Sequence, residues 1–316
     1  MRFISDLKEG DLVSQVFFCK TKSTQTTKAG KGYYSLIFQD KTGTVDAKVW
    51  DLNSAAIDNF ESGVFIFADG QVISINNSLQ INVRRVRIAG EGEYVPEDFF
   101  PVSTKNIDDM YALLLKYVEK IDSPKMKELV ESFFVKDEEF IKAFKKHSAA
   151  KSIHHGFVGG LLEHTLAVTR LCYCYCSMYP QLNKDLLLTA AMFHDIGKLK
   201  EISDFPQNDY TDEGQLLGHI VMGCEMVGER IKTIPGFPEK TALELKHCIL
   251  AHHGELEYGS PKKPALMEAT ALYFADNTDA KMQTFIEQVA GATSNDWLGF
   301  NRVIDSNVRK STPIEV

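Results

Sequence analysis

The chain has 316 residues, enough for two domains at the usual size of about 100 to 200 residues each. With 44% hydrophobic and 25% charged residues it is neither a disordered segment nor a disulfide scaffold. A formal net charge of −8 excludes a protein that grips nucleic acid over its whole surface, yet residues 1–90 hold 11 Lys and Arg against 9 Asp and Glu, a local +2 that leaves −10 for the rest.

The opening stretch MRFISDLKEGDLVSQ carries charges at Arg2, Asp6, Lys8, Glu9 and Asp11 and lacks the apolar run of a signal peptide. No apolar run reaches the length of about 18 residues that a membrane span needs. A cytoplasmic protein with no membrane partner is expected, with its six cysteines reduced. None forms a CxxC pair. On a helix Cys172 and Cys176 share a face while Cys174 points elsewhere, so these read as small apolar residues and not as a thiolate metal site.

From about residue 12 to 88 the segments VSQVFFCKT, YYSLIFQD, VDAKVWD, VFIFADGQVIS and LQINVRRVRIA are rich in β-branched and aromatic residues. KAGKG, KTGT and INNS punctuate them. Five short strands predict a small all-β barrel. In QDKTGTVDAKVWD, Asp40 to Thr44 form a Gly-containing hairpin turn. The segment resembles the hairpin of an oligonucleotide/oligosaccharide-binding (OB) fold, which implies a nucleic-acid-binding domain over residues 1–90. Alternation places Tyr34, Leu36 and Phe38 on one face and Tyr33, Ser35, Ile37 and Gln39 on the other. In the partner strand Val45, Ala47 and Val49 look inward and Asp46, Lys48 and Trp50 outward. Tyr33, Lys48 and Trp50 are therefore candidates for base stacking and phosphate contact; alternatively the two rings cover a barrel end or dock on the second domain. Arg84, Arg85 and Arg87 lie on a late strand, with Arg85 and Arg87 sharing a face, and Arg85 is a nucleic-acid candidate unless this edge is merely solvated.

Residues 91–104, EGEYVPEDFFPVST, contain two prolines and no regular period, as a linker would. Residues 105–316 then read as an all-α bundle. It opens at NIDDMYALLLKYVEKI with Asn106 as N-cap and continues through segments such as LLEHTLAVTRLCYCY, DLLLTAAMFHD, GHIVMGCEMVGERIK, TALELKHCILAHH and MEATALYFADN. No internal repeat is present.

Eight of the nine histidines fall between residues 154 and 253. His164, His194, His219, His252 and His253 recur near helix ends, and Asp195 and Asp276 sit in apolar surroundings. Singly, each reads as a hydrogen-bonded core residue. Together, imidazoles and carboxylates recurring on successive apolar helices are costly unless they share a cation. In MFHDIGKLKEI an apolar helix ends on His194 and Asp195, with Gly197 letting the chain turn and Lys198 following. His247 is turned by about 140° from His252 on one helix and is set aside as a ligand. His147, in AFKKHSAAK, reads as solvent-facing.

The order His164, His194–Asp195, His219, His252–His253, Asp276 resembles the two-metal branch of the HD-domain metal-dependent phosphohydrolases. With an OB-like domain ahead of it and the words HHGFVGGLLEHT, HDIGK, GH, AHHG and FADN, the chain resembles the YhaM-type 3′-to-5′ exoribonucleases from the hairpin to about Lys281. The resemblance implies one metal held by His164, His194, Asp195 and Asp276 and a second held by Asp195, His219, His252 and His253. A nitrogen and oxygen donor set without thiolate suits a divalent transition metal; family resemblance favours two Mn²⁺ ions, with Fe, Co, Ni or Zn compatible. Two ions about 3.5 to 4 Å apart supply a nucleophile, neutralise phosphoryl charge and assist the leaving oxygen. Asp195 and Lys198 are the catalytic candidates, Lys198 through contact with the scissile phosphate unless it only caps a helix. His154 and His155, beside Gly156, Gly159 and Gly160, are nucleic-acid candidates at the pocket rim, or else caps or core contacts.

The expected activity is 3′-to-5′ hydrolysis of single-stranded RNA to nucleoside monophosphates, with single-stranded DNA as a second candidate substrate and a homo-oligomer compatible with it. A phosphohydrolase of small or cyclic nucleotides, using the OB domain for assembly, is the competing class. The GELEYGSPKK sequence after His253 lacks a GYP-type extension, which lowers the cyclic-dinucleotide version. A noncatalytic RNA-binding protein with structural histidines is the third class, and the complete ligand set argues against it.

Overall fold

Alternating apolar residues close the first part of the chain into a barrel. The computed structural model describes residues 1–75, 78–95, 98–151, 155–290, 292, 296–302 and 304–312. It divides into two units, Met1–Val102 with Phe205–Gln207, and Ser103–Asp204 with Asn208–Val316. In the first unit β1 (Leu12–Thr26), β2 (Gly32–Asp40), β3 (Gly43–Val49), β4 (Val64–Ile75) and β5 (Ser78–Ile88) close in the order β1-β2-β3-β5-β4. All neighbours are antiparallel except β3 and β5. β1 pairs with β4 through its first half and with β2 through its second, and a register shift between Cys19 and Thr21 bends it from one partner to the other. This closed five-strand topology is OB-like. Phe17, Leu36, Phe38, Ala47, Ile66, Ala68 and Ile81 fill the interior, which is the face that the period-2 pattern predicts.

Of the stretch read as a linker, residues up to Val102 belong to the first unit. The Tyr94 ring stacks on Phe65 at 3.8 Å between centroids, and Phe99 and Phe100 are buried. Arg87 grips Glu93 through two hydrogen bonds of 2.7 Å. The aromatic residues of EYVPEDFFP thus extend the apolar surface of the barrel.

In the second unit helices α1 (Ile107–Val118), α2 (Pro124–Phe134) and α3 (Glu138–Lys146) lead into α4 (Gly160–Met178) and α5 (Lys184–Phe193). α6 (Lys198–Glu201), α7 (Asp212–Lys232), α8 (Glu239–Leu250) and α9 (Met267–Ala290) come next, and β6 (Trp297–Asn301) with β7 (Ser306–Arg309) adds a short hairpin to the helical pattern. Asn106 caps α1 by accepting from the Asp109 amide at 3.0 Å, as its sequence position predicts. α5 is apolar all round and is buried at every position from Leu186 to Phe193, as befits a central helix packed by α4, α8 and α9. Its C-terminus therefore opens in the middle of the bundle. Among the described residues no helix is long and apolar enough to cross a membrane.

Candidate metal centre

α5 ends at Phe193, and the next two residues, His194 and Asp195, project into a space bounded by α4, α7, the turn after α8, and α9. α4 contributes buried His164; α7 contributes His219; the turn beyond α8 contributes His252 and His253; α9 contributes Asp276. α7 is broken at Gly218 (φ 73°, ψ 156°), which frees the His219 amide to donate to Glu201 Oε1 at 3.0 Å. Gly197 lies in the turn between α5 and α6, as expected, but its φ of −63° and ψ of −20° are values that any residue adopts, so the turn does not require a glycine conformation. It is small because a Cβ there would lie 2.0 Å from the His219 carbonyl oxygen. The missing side chain lets the segment between α5 and α6 rest directly on α7.

The Asp195 carboxylate divides the site into two halves. Its Oδ2 lies 3.3 Å from His164 Nε2 and 3.4 Å from His194 Nε2, while its Oδ1 lies 3.4 Å from His219 Nε2 and 3.7 Å from His252 Nε2. Asp276 Oδ1 completes the first half at 3.1 Å from His164 Nε2 and 3.9 Å from His194 Nε2. His253 completes the second, grouping with His219 and His252 within 4.8 Å.

All five imidazoles are oriented in the same way. Nδ1 of His194, His252 and His253 faces the carbonyl oxygens of Ala191, Ile249 and Tyr258 at 2.8, 2.7 and 2.8 Å. A carbonyl oxygen can only accept, so Nδ1 carries the proton and a neutral ring offers a lone pair at Nε2. His164 and His219 give Nδ1 instead to carboxylates, Asp279 Oδ2 at 2.7 Å and Glu201 Oε1 at 2.9 Å. Such tethers fix the ring and raise its basicity as a ligand. Asp279 and Glu201 are candidate positioning residues that sequence reasoning missed. Asp279 was within reach, because it lies three residues after Asp276 on the same face of α9. Glu201 carries no such signal, since its contact depends on how α6 meets α7.

The donors fit a pair of cations. Asp195 Oδ1, His219 Nε2 and His252 Nε2 are buried without a hydrogen-bond partner among the described residues, while Asp195 Oδ2 is met by Lys198 Nζ at 2.7 Å. Orphaned buried acceptors of this kind are costly unless a positive charge meets them. The local field is strong. Burial opposes the charged form of Asp195, but Lys198, His194 and His164 outweigh it and hold the carboxyl well below its usual range. Burial likewise opposes charge on His164, and its contacts with Asp195, Asp276 and Asp279 outweigh that penalty and raise it well above an ordinary histidine. Burial, with His253 and His194 nearby, pushes His252 the other way, well below the usual value.

Lys198 lines a pocket beside the centre together with His155. His155 is buried, adopts a left-handed backbone (φ 60°) and reaches Asp279 Oδ2 through Nε2 at 3.0 Å, leaving its Nδ1 without a partner among the described residues. His154 lies outside the described residues. His247 stands apart and accepts from the Ala265 amide at 2.9 Å. His147 is not solvent-facing as expected but buried, its ring nitrogens 2.8 and 3.0 Å from the carbonyl oxygens of Ser148 and Ile202. The α3 end that looked polar in sequence is covered by the segment after α6. Buried Cys172 and exposed Cys174 match the helix-face reading, and Cys176 is half-buried.

In the first unit the structure brings Tyr33, Lys48 and Trp50 together on the outer face of β2, β3 and β5. The Tyr33 and Trp50 rings lie 4.7 Å apart at 30°, Trp50 donates to Asn82 Oδ1 at 3.1 Å, and Lys48 donates to the Ser35 hydroxyl. Arg85 is not placed with them by any contact; its carboxylate neighbour is Asp69, at 3.9 Å.

Residues 161–281 match the family model of the HD domain. The chain is 33% identical over 276 residues to a 3′–5′ exoribonuclease YhaM of Geobacillus sp. (strain WCH70), spanning 86% of this chain and 83% of that protein. Among solved structures it is similar to the second OB-fold domain of replication protein A from Methanococcus maripaludis, with 21% identity, a TM-score of 0.22, and coverage of 29% of this chain and 96% of that one. It is also similar to the OB domain of Ta0387 from Thermoplasma acidophilum, with 16% identity, a TM-score of 0.22, and coverage of 30% and 90%. With a relative of that identity along most of both chains, and an HD domain where the histidines converge, the protein belongs to the YhaM family of 3′–5′ exoribonucleases.

Proposed function

We propose that this protein hydrolyses single-stranded RNA from its 3′ end and releases nucleoside monophosphates at a centre for two divalent transition-metal ions. The observation that carries the metal centre is Asp195, whose two oxygens each face a separate group of histidine Nε2 atoms. His164, His194, Asp195 and Asp276 would hold one ion, and Asp195, His219, His252 and His253 the other. Two such ions, when bound, supply a nucleophile at neutral pH and neutralise charge on the phosphoryl oxygens. Five imidazoles beside two carboxylates suit Mn, Fe, Co, Ni or Zn better than Mg or Ca, and Mn²⁺ is the ion we favour.

The remaining chemistry belongs to the chain itself. Asp279 and Glu201 hold His164 and His219 in the tautomer that presents Nε2. Lys198, which pairs with Asp195 and lines the pocket, would hold a positive charge toward a non-bridging oxygen of the scissile phosphate. His155 lines the same pocket, and its unpartnered Nδ1 would accept from a substrate hydroxyl, because its Nε2 donates to Asp279. On the barrel, the Tyr33 and Trp50 rings beside Lys48 offer stacking and charge to a single strand in a sequence-tolerant way.

The test is an RNA labelled at its 5′ end, incubated with the Mn²⁺-loaded protein. A ladder shortening from the 3′ end, abolished in Asp195→Ala, is expected. Intact RNA together with hydrolysis of a mononucleotide or cyclic nucleotide would overturn the exoribonuclease reading in favour of a small-molecule phosphohydrolase.

A further inference from the structure

Beside the metal centre lies a pocket of about 280 Å³ that the reaction chemistry alone does not require. It is lined by Lys198, His253 and Asp276 and also by two tyrosines, Tyr258 and Tyr273, with three alanines among its other residues. The tyrosines are tied to the centre. The Tyr258 carbonyl accepts the Nδ1 proton of His253 at 2.8 Å, while its side chain is 63% exposed and so is not spent in the core. Tyr273 sits on α9 one turn before Asp276, so the helix presents the ring and the carboxylate on one face. Gly254 comes directly after His253. A Cβ there would stand 2.4 Å from the Tyr273 ring, so this glycine lets the ring lie against the backbone that carries the ligand histidines.

We infer that this pocket is the subsite for the 3′-terminal nucleoside, with Tyr258 and Tyr273 as its stacking surfaces; the assignment of that nucleoside to an RNA end rests on the exoribonuclease activity proposed for the metal centre. A site that only neutralised a phosphate would be lined by polar donors. Here two tyrosines and three alanines line the same pocket as Lys198, His253 and Asp276, and a nucleotide is the phosphoester that carries a flat π-system one sugar away from its phosphorus. Ring stacking accepts every base, so the subsite distinguishes nucleotides from base-free phosphoesters without reading sequence. The small alanine side chains leave room for a purine as well as a pyrimidine.

Calorimetry on the full-length Mn²⁺-loaded protein tests this with AMP and ribose 5-phosphate as probes. The wild type should bind AMP about 5- to 150-fold more tightly, the range that one aromatic stack supplies. Tyr258→Ala combined with Tyr273→Leu should erase that preference while leaving ribose 5-phosphate binding intact, which also reports that the pocket is still folded. Tyr258→Phe with Tyr273→Phe should preserve it, since the rings remain. Equal binding of the two probes by the wild type, or a preference for AMP that survives removal of both rings, overturns the subsite. A retained, ring-dependent AMP preference in a protein that fails to shorten RNA would support the subsite and overturn only its assignment to an RNA end.

Discussion

Asp195 has a property that none of the imidazoles around it shares: two donor atoms, each of which can serve a different ion. His164 and His219, on either side of it, are held by Asp279 and Glu201. Asp279→Asn and Glu201→Gln keep the shape of each side chain but remove the negative charge that favours the ring's Nδ1–H. Metal affinity should fall by about 10- to 100-fold in each variant. The losses should differ by site, Glu201→Gln weakening the ion near His219 and Asp279→Asn the ion near His164. Metal titration by calorimetry, with circular dichroism as a control for folding, measures this; two unchanged isotherms would remove the positioning role. Of these residues, His164, His194, Asp195, His219, His252, His253 and Asp276 were legible from type and order along the chain. Glu201 was not, because nothing in LKEIS distinguishes it from a solvated acid.

Among the elements, the entry of α6 onto α7 decides the shape of the site. α5 is apolar on every face and was readable as a buried helix ending in His194 and Asp195. Gly197, in the turn just beyond it, has a further role that its position does not show: its backbone values suit any residue, and the missing side chain allows close packing on α7. Gly197→Ala puts a methyl group 2.0 Å from a backbone oxygen that cannot rotate away. Overpacking of this kind costs about 1 to 3 kcal/mol. The shift it forces should displace His219 and Glu201 together. Thermal denaturation should show the loss of stability, and metal analysis should show one ion weakened with the other retained. An alanine variant with wild-type stability and full metal content would show that the segment can move aside.

In the molecule as a whole, one unit carries the candidate metal centre and the other an aromatic and basic face; in the function proposed above, the second would bind a strand and the first would hydrolyse its end. Tyr33→Ala with Trp50→Ala in the full chain should raise the KM for RNA by about 5- to 150-fold per lost stack. A small phosphodiester, which has no strand to lay on those rings, should be turned over at the unaltered rate. Equal losses on both substrates would give these rings a structural role. Lys48 belongs to the same face, and Arg87 does not supply it with charge, because Glu93 neutralises its guanidinium.

The barrel is dictated by residue order, since period-2 burial leaves one register in which Leu36, Phe38, Val45, Ala47 and Val49 all point inward. Residue order also dictates the helical bundle and the identity of the candidate metal-ligating side chains, because imidazoles and carboxylates on apolar helices have few other uses. Only folding in three dimensions settles which oxygen of Asp195 faces which histidines, which carboxylates hold the rings, and that Tyr258 and Tyr273 share a pocket with Asp276. These are relations between elements far apart in the chain. Periodicity fixes which face of a helix is buried, but the partner across that face is set by packing, and packing at Gly197 turns on a single absent Cβ.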